Sequence, residues 1–450
     1  MKQKSIEMVI IAILLISVMF SAFPVARAQP PPPPNWLIAD IDYDGDITLY
    51  DAVTAAVAYG SEPGDPNWNI AADLVRDDKI NIFDLVTILA VYGKSIKNAP
   101  YFCEITIMDS VGRNVSIPYP LERIVVLNPP GAAILRALEY EMGDRRDLVV
   151  GVSGSITGDC NYWPILCNRT ECSEYAHGYP YIETIASLDT QVVFWYSPNH
   201  PAVAPIFADV EEELGVYGIK LVGLDCFIFD HLGEDITTWG IALGRRCRAE
   251  DINGWFDEML GMVANRTSGI PEDEKTKVYW EHHAGDWVTC GFVSEWDKAI
   301  TRAGAKNIYH DMMGCGEVDP IDVCSKNPEV YFKDTRKRHV KMGYGETNVT
   351  VMQEYLDGLM ATHGDPGQGG NPCWYGIDAV VNGQTYLCSQ DLGSGPEKIF
   401  LVVYIAKICY PTLFEDVDPD DYLRDWIRDY QHLPCENIPI PCGYFMYPAI

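Results

Sequence analysis

Between Ile105 and Tyr430, short apolar runs of strand character alternate with amphipathic helical stretches, and this alternation limits the fold more than any other feature. Ile105–Met108 and Val115–Ile117 flank a turn at Ser110-Val-Gly-Arg113 and read as an entry hairpin. Arg123-Ile-Val-Val-Leu127 is a buried-strand run, followed by Pro129-Pro-Gly131 and an apolar helix to Leu138. Leu148–Val152, Gln191–Tyr196 and Lys220–Leu224 read as further strands, with a helix over Ala202–Leu214. A second series has strands at Lys277–Trp280, Glu329–Phe332 and Thr385–Ser389, with helices at Asp297–Ala303, Val351–Ala361, Phe400–Cys409 and Tyr422–Tyr430. Strands separated by helices cannot pair as hairpins, so the pattern predicts an α/β fold with parallel sheets. Between the series, Ile252, Phe256, Met259 and Val263 mark one face of a helix within Asp230–Thr267, with glycines at 240, 244, 254 and 261 and a stop at Pro271.

The start of the chain bears on where it works. Lys2 and Lys4 precede an apolar run from Met8 to Phe23, and Ala26-Arg-Ala28 supplies a small-residue cleavage pattern. Residues 1–28 read as a signal peptide, with an uncleaved anchor as the alternative. The protein is therefore expected to be exported, to the periplasm or the outer face of the cell membrane. A formal charge of −31 opposes nucleic acid binding and suits cations. All 14 cysteines lie from Cys103 to Cys442, an even number compatible with several disulfides outside the cell. Their pairing cannot be read from the sequence, and Cys160, Cys167 and Cys172 lack the C-x-x-C spacing of a strong zinc site. Asn114, Asn168, Asn265 and Asn348 stand in glycosylation sequons.

Residues 29–35 form a proline-rich spacer. Asp40, Asp51 and Tyr59-Gly60 then recur as Asp73, Asp84 and Tyr92-Gly93, each displaced by 33 residues. Such a repeat signals two copies of one supersecondary unit, here an acidic loop entering a short apolar helix. In the first copy Asp40, Asp42 and Asp44 occupy positions one, three and five, with Gly45 at the turn. Asp46 offers its carbonyl at seven, Thr48 acts at nine, and Asp51 closes the loop at twelve. That is the oxygen-ligand spacing of a calcium loop. The second copy keeps Asp73, Asp77, Asn81 and Asp84, with the Lys79 carbonyl at seven, but has Val75 at three and Asp78 at six, so weaker binding is expected. Two loops, each followed by one helix, resemble a dockerin module over residues 36–95. The resemblance implies a Ca2+-folded, all-α plug that docks onto a cohesin-type protein.

The body resembles the class III substrate-binding proteins of ABC transporters, the family that captures iron-siderophores, haem and cobalamin. The likeness rests on "ITIMDSVGRNVSIPYPLERIVVLNPPGAAILRALE", "IETIASLDTQVVFWY", "VNGQTYLCS" and "AKICYPTLFEDVDPDDY", in that order. It implies two Rossmann-like lobes, residues 101–228 and 271–433, joined by a long helix within 229–270 and followed by a Pro/Cys tail at 434–450. Asp144–Tyr181 and Gly364–Tyr375 are longer than the pattern requires. Ligands in such proteins sit between lobes, at loops following strand carboxyl ends. Those loops offer Asn128, Pro129, Pro130, Trp195, Tyr196, Trp280, Glu281, His282, His283 and Trp287. Aromatic faces suit a bulky metal chelate, and a histidine could ligate its metal or pair with its anionic groups. The resemblance implies permease-docking carboxylates on each lobe: Glu183 matches the first, and Glu295 is the nearest candidate for the second, out of register with the family position. The implied function is a receptor delivering an iron chelate or corrinoid to an ABC importer, not an enzyme.

Two rival readings stand beside it. A direct metal-ion binder needs three or four converging ligands, whereas His282 and His283, if neighbours in a strand, point apart. A dockerin-borne hydrolase is disfavoured because neither G-x-S-x-G nor H-E-x-x-H occurs.

Overall fold

A computed structural model describes residues 39, 41, 47–62, 65, 67–69, 72–75, 77, 79–94, 103–119, 121–138 and 148–449. The signal segment, the proline spacer and the loop residues Asp40, Asp42, Asp44 and Asp46 lie outside the described residues. The chain divides into two compact units: Met1–Thr106 with Ser116–Pro120 and Gly244–Cys247, and the rest.

In the first unit the two copies of the repeat build the same device. Helices Leu49–Val57 and Ile82–Ala90 each begin with a reciprocal capping box, Thr48 with Asp51 and Asn81 with Asp84. Such boxes satisfy the orphan amides of the first helical turn. Each buried aspartate also holds its own loop: Asp51 accepts from the Ile41 amide at 2.6 Å, and Asp84 from the Leu74 amide at 2.8 Å. Ile47, Ala55, Ile80, Leu85 and Ile88 pack between the copies.

The second unit contains two sheets. The hairpin strands β1 (Cys103–Met108) and β2 (Asn114–Tyr119) lead into it. The first sheet comprises β3 (Ile124–Val126), β4 (Val149–Ser153), β5 (Thr170–Ser173), β6 (Val192–Trp195) and β7 (Lys220–Gly223), ordered β5-β4-β3-β6-β7 and parallel throughout. Helices on both faces explain why β3 and β6 are buried at every residue. The chain winds outward in one direction from β3 through β4 and β5, then in the other through β6 and β7. Loops leaving β3 and β6 therefore diverge at a topological switch point, where such sheets open a crevice.

The second sheet is mixed. Strands β8 (Lys277–Glu281), β12 (Val330–Thr335) and β13 (Thr385–Ser389) run parallel at its centre. Short β9 (Val288–Cys290) and β11 (Cys315–Glu317) add antiparallel strands at one edge, with β10 (Lys306–Asn307) beside β8. At the other edge, β14 (Met446–Tyr447) pairs antiparallel with β13, so the Pro/Cys tail completes the lobe. These short edge strands escape sequence reading because two or three residues establish no period.

The predicted linking helix is broken into Leu232–Leu243 and Arg246–Thr267, with Gly244 at a positive φ of 68°. That left-handed conformation is cheap only for glycine and ends the first helix. Disulfides join Cys160–Cys167, Cys290–Cys315, Cys324–Cys373 and Cys435–Cys442. The first of these closes a loop in the region predicted to be an insertion, and burial pushes the remaining Cys172 thiol up to about 12. A zinc site formed from that cysteine cluster is thus replaced by a disulfide loop.

That loop reaches the other lobe. Lys337 Nζ lies 2.5 Å from Asp159 Oδ2, and Tyr162 Oη donates to Glu397 at 2.8 Å. Arg136 donates to Gln431 at 2.9 Å, and Lys398 donates to the Phe227 carbonyl at 3.0 Å. The two lobes are bound together around the cleft.

Candidate functional site

The carboxyl ends of both sheets present their loops to one another. From the first lobe come the turn after β3, the loop Glu174–Pro180 after β5, Ser197–His200 after β6 and Cys226–Phe229 after β7. From the second come His282–Trp287 after β8, Arg336–His339 after β12 and Gln390–Gly395 after β13.

Histidines concentrate here. His177 and His200 stack at 5.7 Å between ring centroids, and His200 stacks on Tyr196 at 4.7 Å. Across the cleft His282 and His283 lie 3.9 Å apart, centroid to centroid. Arg336 feels both groups. Partial burial and then the Arg336 charge lower the pKa of His177, while burial, His283 and Arg336 bring His282 down to about 4. Burial likewise lowers the pKa of His200, so His177, His200 and His282 are all biased toward the neutral imidazole. The Arg336 guanidinium is itself disfavoured by burial and by Arg338, partly offset by Asp334, and its buried Nε has no hydrogen-bond partner among the described residues. A half-buried cation with a donor to spare suits an anionic group of a ligand.

The residues singled out from the sequence divide between cleft and core. Tyr196, His282 and His283 belong to the cleft loops, and Pro130 Cα comes within 3.9 Å of a Cβ built on Gly395 of the facing lobe. Pro129 is half-buried and Asn128 fully buried. Asn128 Nδ2 donates to the Leu224 carbonyl at 2.7 Å, tying the loop after β3 to the loop after β7. Trp195 is fully buried, its indole donating to the Ala176 carbonyl at 2.6 Å. Trp280 is buried against Trp296 at 4.8 Å, and Trp287 packs on His363 at 4.2 Å. Trp195 and Trp280 are core because central strands of a parallel sheet bury both faces, whereas Trp287 ends the loop after β8 and turns into the aromatic core around Trp374.

Glu281 is likewise structural. Its carboxylate is fully buried between Lys333 Nζ at 2.5 Å and His363 Nε2 at 2.5 Å. Of the proposed docking carboxylates, Glu183 is exposed on the helix Ile182–Ser187. Glu295 is occupied within the molecule, accepting from the Phe229 amide at 2.8 Å and pairing with Lys298 at 2.9 Å. Sequence reasoning missed His177, His200, Asp334, Arg336, Arg338 and His339. The one available signal was the basic run Arg336-Lys-Arg338 directly after a strand in an otherwise acidic chain.

No protein-family model matches the sequence, and no curated protein matches it. Solved structures do. FepB from Veillonella parvula, a TroA-like periplasmic binding protein, matches with a TM-score of 0.63 and 23% identity, over 77% of this chain and all of that one (100%). The body of this protein has the periplasmic-binding-protein fold. Two further structures with that fold are similar to it. The molybdate-binding MolA of Haemophilus influenzae matches with a TM-score of 0.54 and 20% identity, over 73% of this chain and 98% of its own. Helicobacter pylori CeuE, solved with Ni(II) bound, matches with a TM-score of 0.53 and 20% identity, over 74% and 97%. The periplasmic-binding-protein fold thus accounts for the two sheets and for a cleft at their carboxyl ends.

In the first unit, Asp73, Asp77 and Asp84 each bring a carboxylate oxygen within 4.8 Å of the others. Asn81 donates its side-chain amide to Asp77 at 3.0 Å and to the Lys79 carbonyl at 3.0 Å, gathering the remaining predicted positions of the second loop. An all-oxygen set of this kind fits a hard cation. Of the predicted ligand positions in the first loop only Thr48 and Asp51 are described, both engaged in the helix cap.

Proposed function

We propose that this protein is an extracytoplasmic receptor of an ABC importer, capturing a metal chelate with anionic groups, such as an iron-siderophore, haem or a corrinoid. The observation that carries the reading is that histidines on loops of both lobes, His177 and His282, lie within electrostatic reach of one half-buried cation, Arg336. Molybdate and nickel in proteins of the same fold support a metal-linked cargo. The direct ion binder is less well supported, because Arg336 repels a bare dication.

Titrating the mature protein with ferric siderophores, haem and cobalamin tests this through tryptophan fluorescence. Saturable quenching at micromolar or tighter affinity by one of them is expected, since Trp280 and Trp296 stack beside the cleft loops. Silence across all three would overturn the reading.

The N-terminal repeat is, on this proposal, a calcium-dependent tether to a cohesin-type partner. Duplicated caps and the converging carboxylates support it. Calorimetric titration of Ca2+ into the EDTA-treated full chain is expected to show saturable binding. Asp84→Asn should weaken it, because Asp84 holds both loop and helix. A flat titration would remove the calcium assignment without touching the receptor.

A further inference from the structure

The Pro/Cys tail does more than add β14 to the second sheet. Residues 336–348, between β12 and the helix Val349–Gly364, contain neither helix nor strand. Two buried side chains of this stretch, Val340 and Met342, pack in the core cluster that also holds Tyr444 of the tail. Past Met342 the stretch is bonded to the tail backbone. The Gly343 amide donates to the Tyr444 carbonyl at 2.7 Å, and the Gly345 amide to the Cys442 carbonyl at 2.7 Å. The Tyr444 amide donates back to the Glu346 carbonyl at 2.9 Å, and Tyr344 Oη donates to the Pro434 carbonyl at 2.9 Å.

The fit demands glycine on both sides. A Cβ on Gly443 would run into the Gly343 carbonyl, and a Cβ on Gly343 would run into the Asp391 carboxylate. Both residues also have positive φ, 128° and 106°, which other side chains adopt only with strain. The tail keeps its own shape. The Cys435–Cys442 disulfide closes its loop, and the Cys442 and Gly443 amides donate back to the Asn437 and Pro439 carbonyls at 3.2 and 2.6 Å. On its far side the Phe445 carbonyl accepts from the Ser389 amide at 2.8 Å, at the end of β13. A braced segment thus meets one without regular structure.

We propose that the C-terminal tail is a strap that positions the basic segment 336–341 at the cleft, by clamping residues 343–346 directly behind it. Arg336, Lys337, Arg338 and Lys341 put four cations into six residues, and like charges so close spread apart unless something fixes the backbone. The segment's own bonds are short-range: the His339 and Val340 amides both donate to the Arg336 carbonyl, at 2.8 and 3.2 Å. Lys337 lies 2.5 Å from Asp159 of the other lobe and 3.7 Å from Asp391. The strap therefore sets the place of Arg336 and supports one of the bonds between the lobes. It acts with or without cargo, so it stands or falls apart from the receptor reading.

Hydrogen exchange of the mature protein, read by mass spectrometry, tests the strap. Gly443→Ala should speed exchange in the peptide carrying His339 and Val340 by about tenfold or more, because exchange follows the population of the locally opened form. Trypsin should cut after Arg336, Lys337, Arg338 or Lys341 faster by about the same factor. Strand β6 in the first sheet should keep its protection. Because the added methyl could unsettle the fold, Cys435→Ser combined with Cys442→Ser is a second variant. It opens the tail loop without added bulk and should move the same peptide in the same direction. Faster exchange confined to residues 343–346, with His339 and Val340 unchanged, overturns the strap, since the tail then anchors only what it touches. Unchanged exchange throughout, or protection lost alike in both lobes of both variants, overturns it too.

Discussion

Replacing Glu281 by glutamine is expected to destabilise the protein by about 3–5 kcal/mol, the usual result of removing one partner from a buried ion pair. Glu281 is fully buried, so the neutral amide would leave the buried Lys333 cation with only the half-exposed Asp286 carboxylate, 3.8 Å away, to compensate it. The His363 contact would weaken at the same time. Urea denaturation at pH 7 measures the loss, and a change below about 1 kcal/mol would show that water reaches Lys333. The pH dependence gives an independent check. Burial works to raise the Glu281 carboxyl, but His363 and Lys333 outweigh it and hold the pKa below the usual range. A carboxyl lowered in the folded state contributes stability above its unfolded pKa of roughly 4.3 and loses it as pH falls through the folded value. The difference between wild type and Glu281→Gln should therefore be full at neutral pH and shrink below roughly pH 4.

Arg336→Ala is expected to weaken chelate binding by about tenfold to a hundredfold, the range for removing a charge-assisted hydrogen bond of ~1.5–3 kcal/mol. Thermal stability should change little, because burial already disfavours the guanidinium and its Nε is unpartnered among the described residues. A Lys substitution should recover charge but not the fork of donors. Unchanged affinity in Arg336→Ala, measured by the same fluorescence titration, would place the anionic end of the cargo elsewhere.

The sequence made the architecture legible where burial writes a long signature. β6 and β12 are buried at every residue, and their runs of valine and aromatic residues mark them as central parallel strands. The same property misled the reading of the site. Trp195 and Trp280 look like ligand faces in a list of aromatic residues, yet two-sided burial turns them into core. His177 and His200 carry no shared local pattern, because loops leaving separate strands bring them together. His282 and His283 were judged by strand periodicity at the residue where the strand stops. The break in the linking helix, by contrast, was foreshadowed by Gly244.

The bonds that cross the cleft have a bearing on delivery. Asp159 with Lys337, Tyr162 with Glu397 and Arg136 with Gln431 join the lobes through protein groups alone. The cleft is therefore ordered before any ligand arrives, and binding does not have to meet the cost of ordering it. The reverse journey is harder. Spreading the lobes means breaking these bonds as well, so on the proposed receptor reading a bound ligand is expected to leave slowly. Any movement that parts the lobes therefore also has to break the contacts made by the loop that Cys160–Cys167 closes.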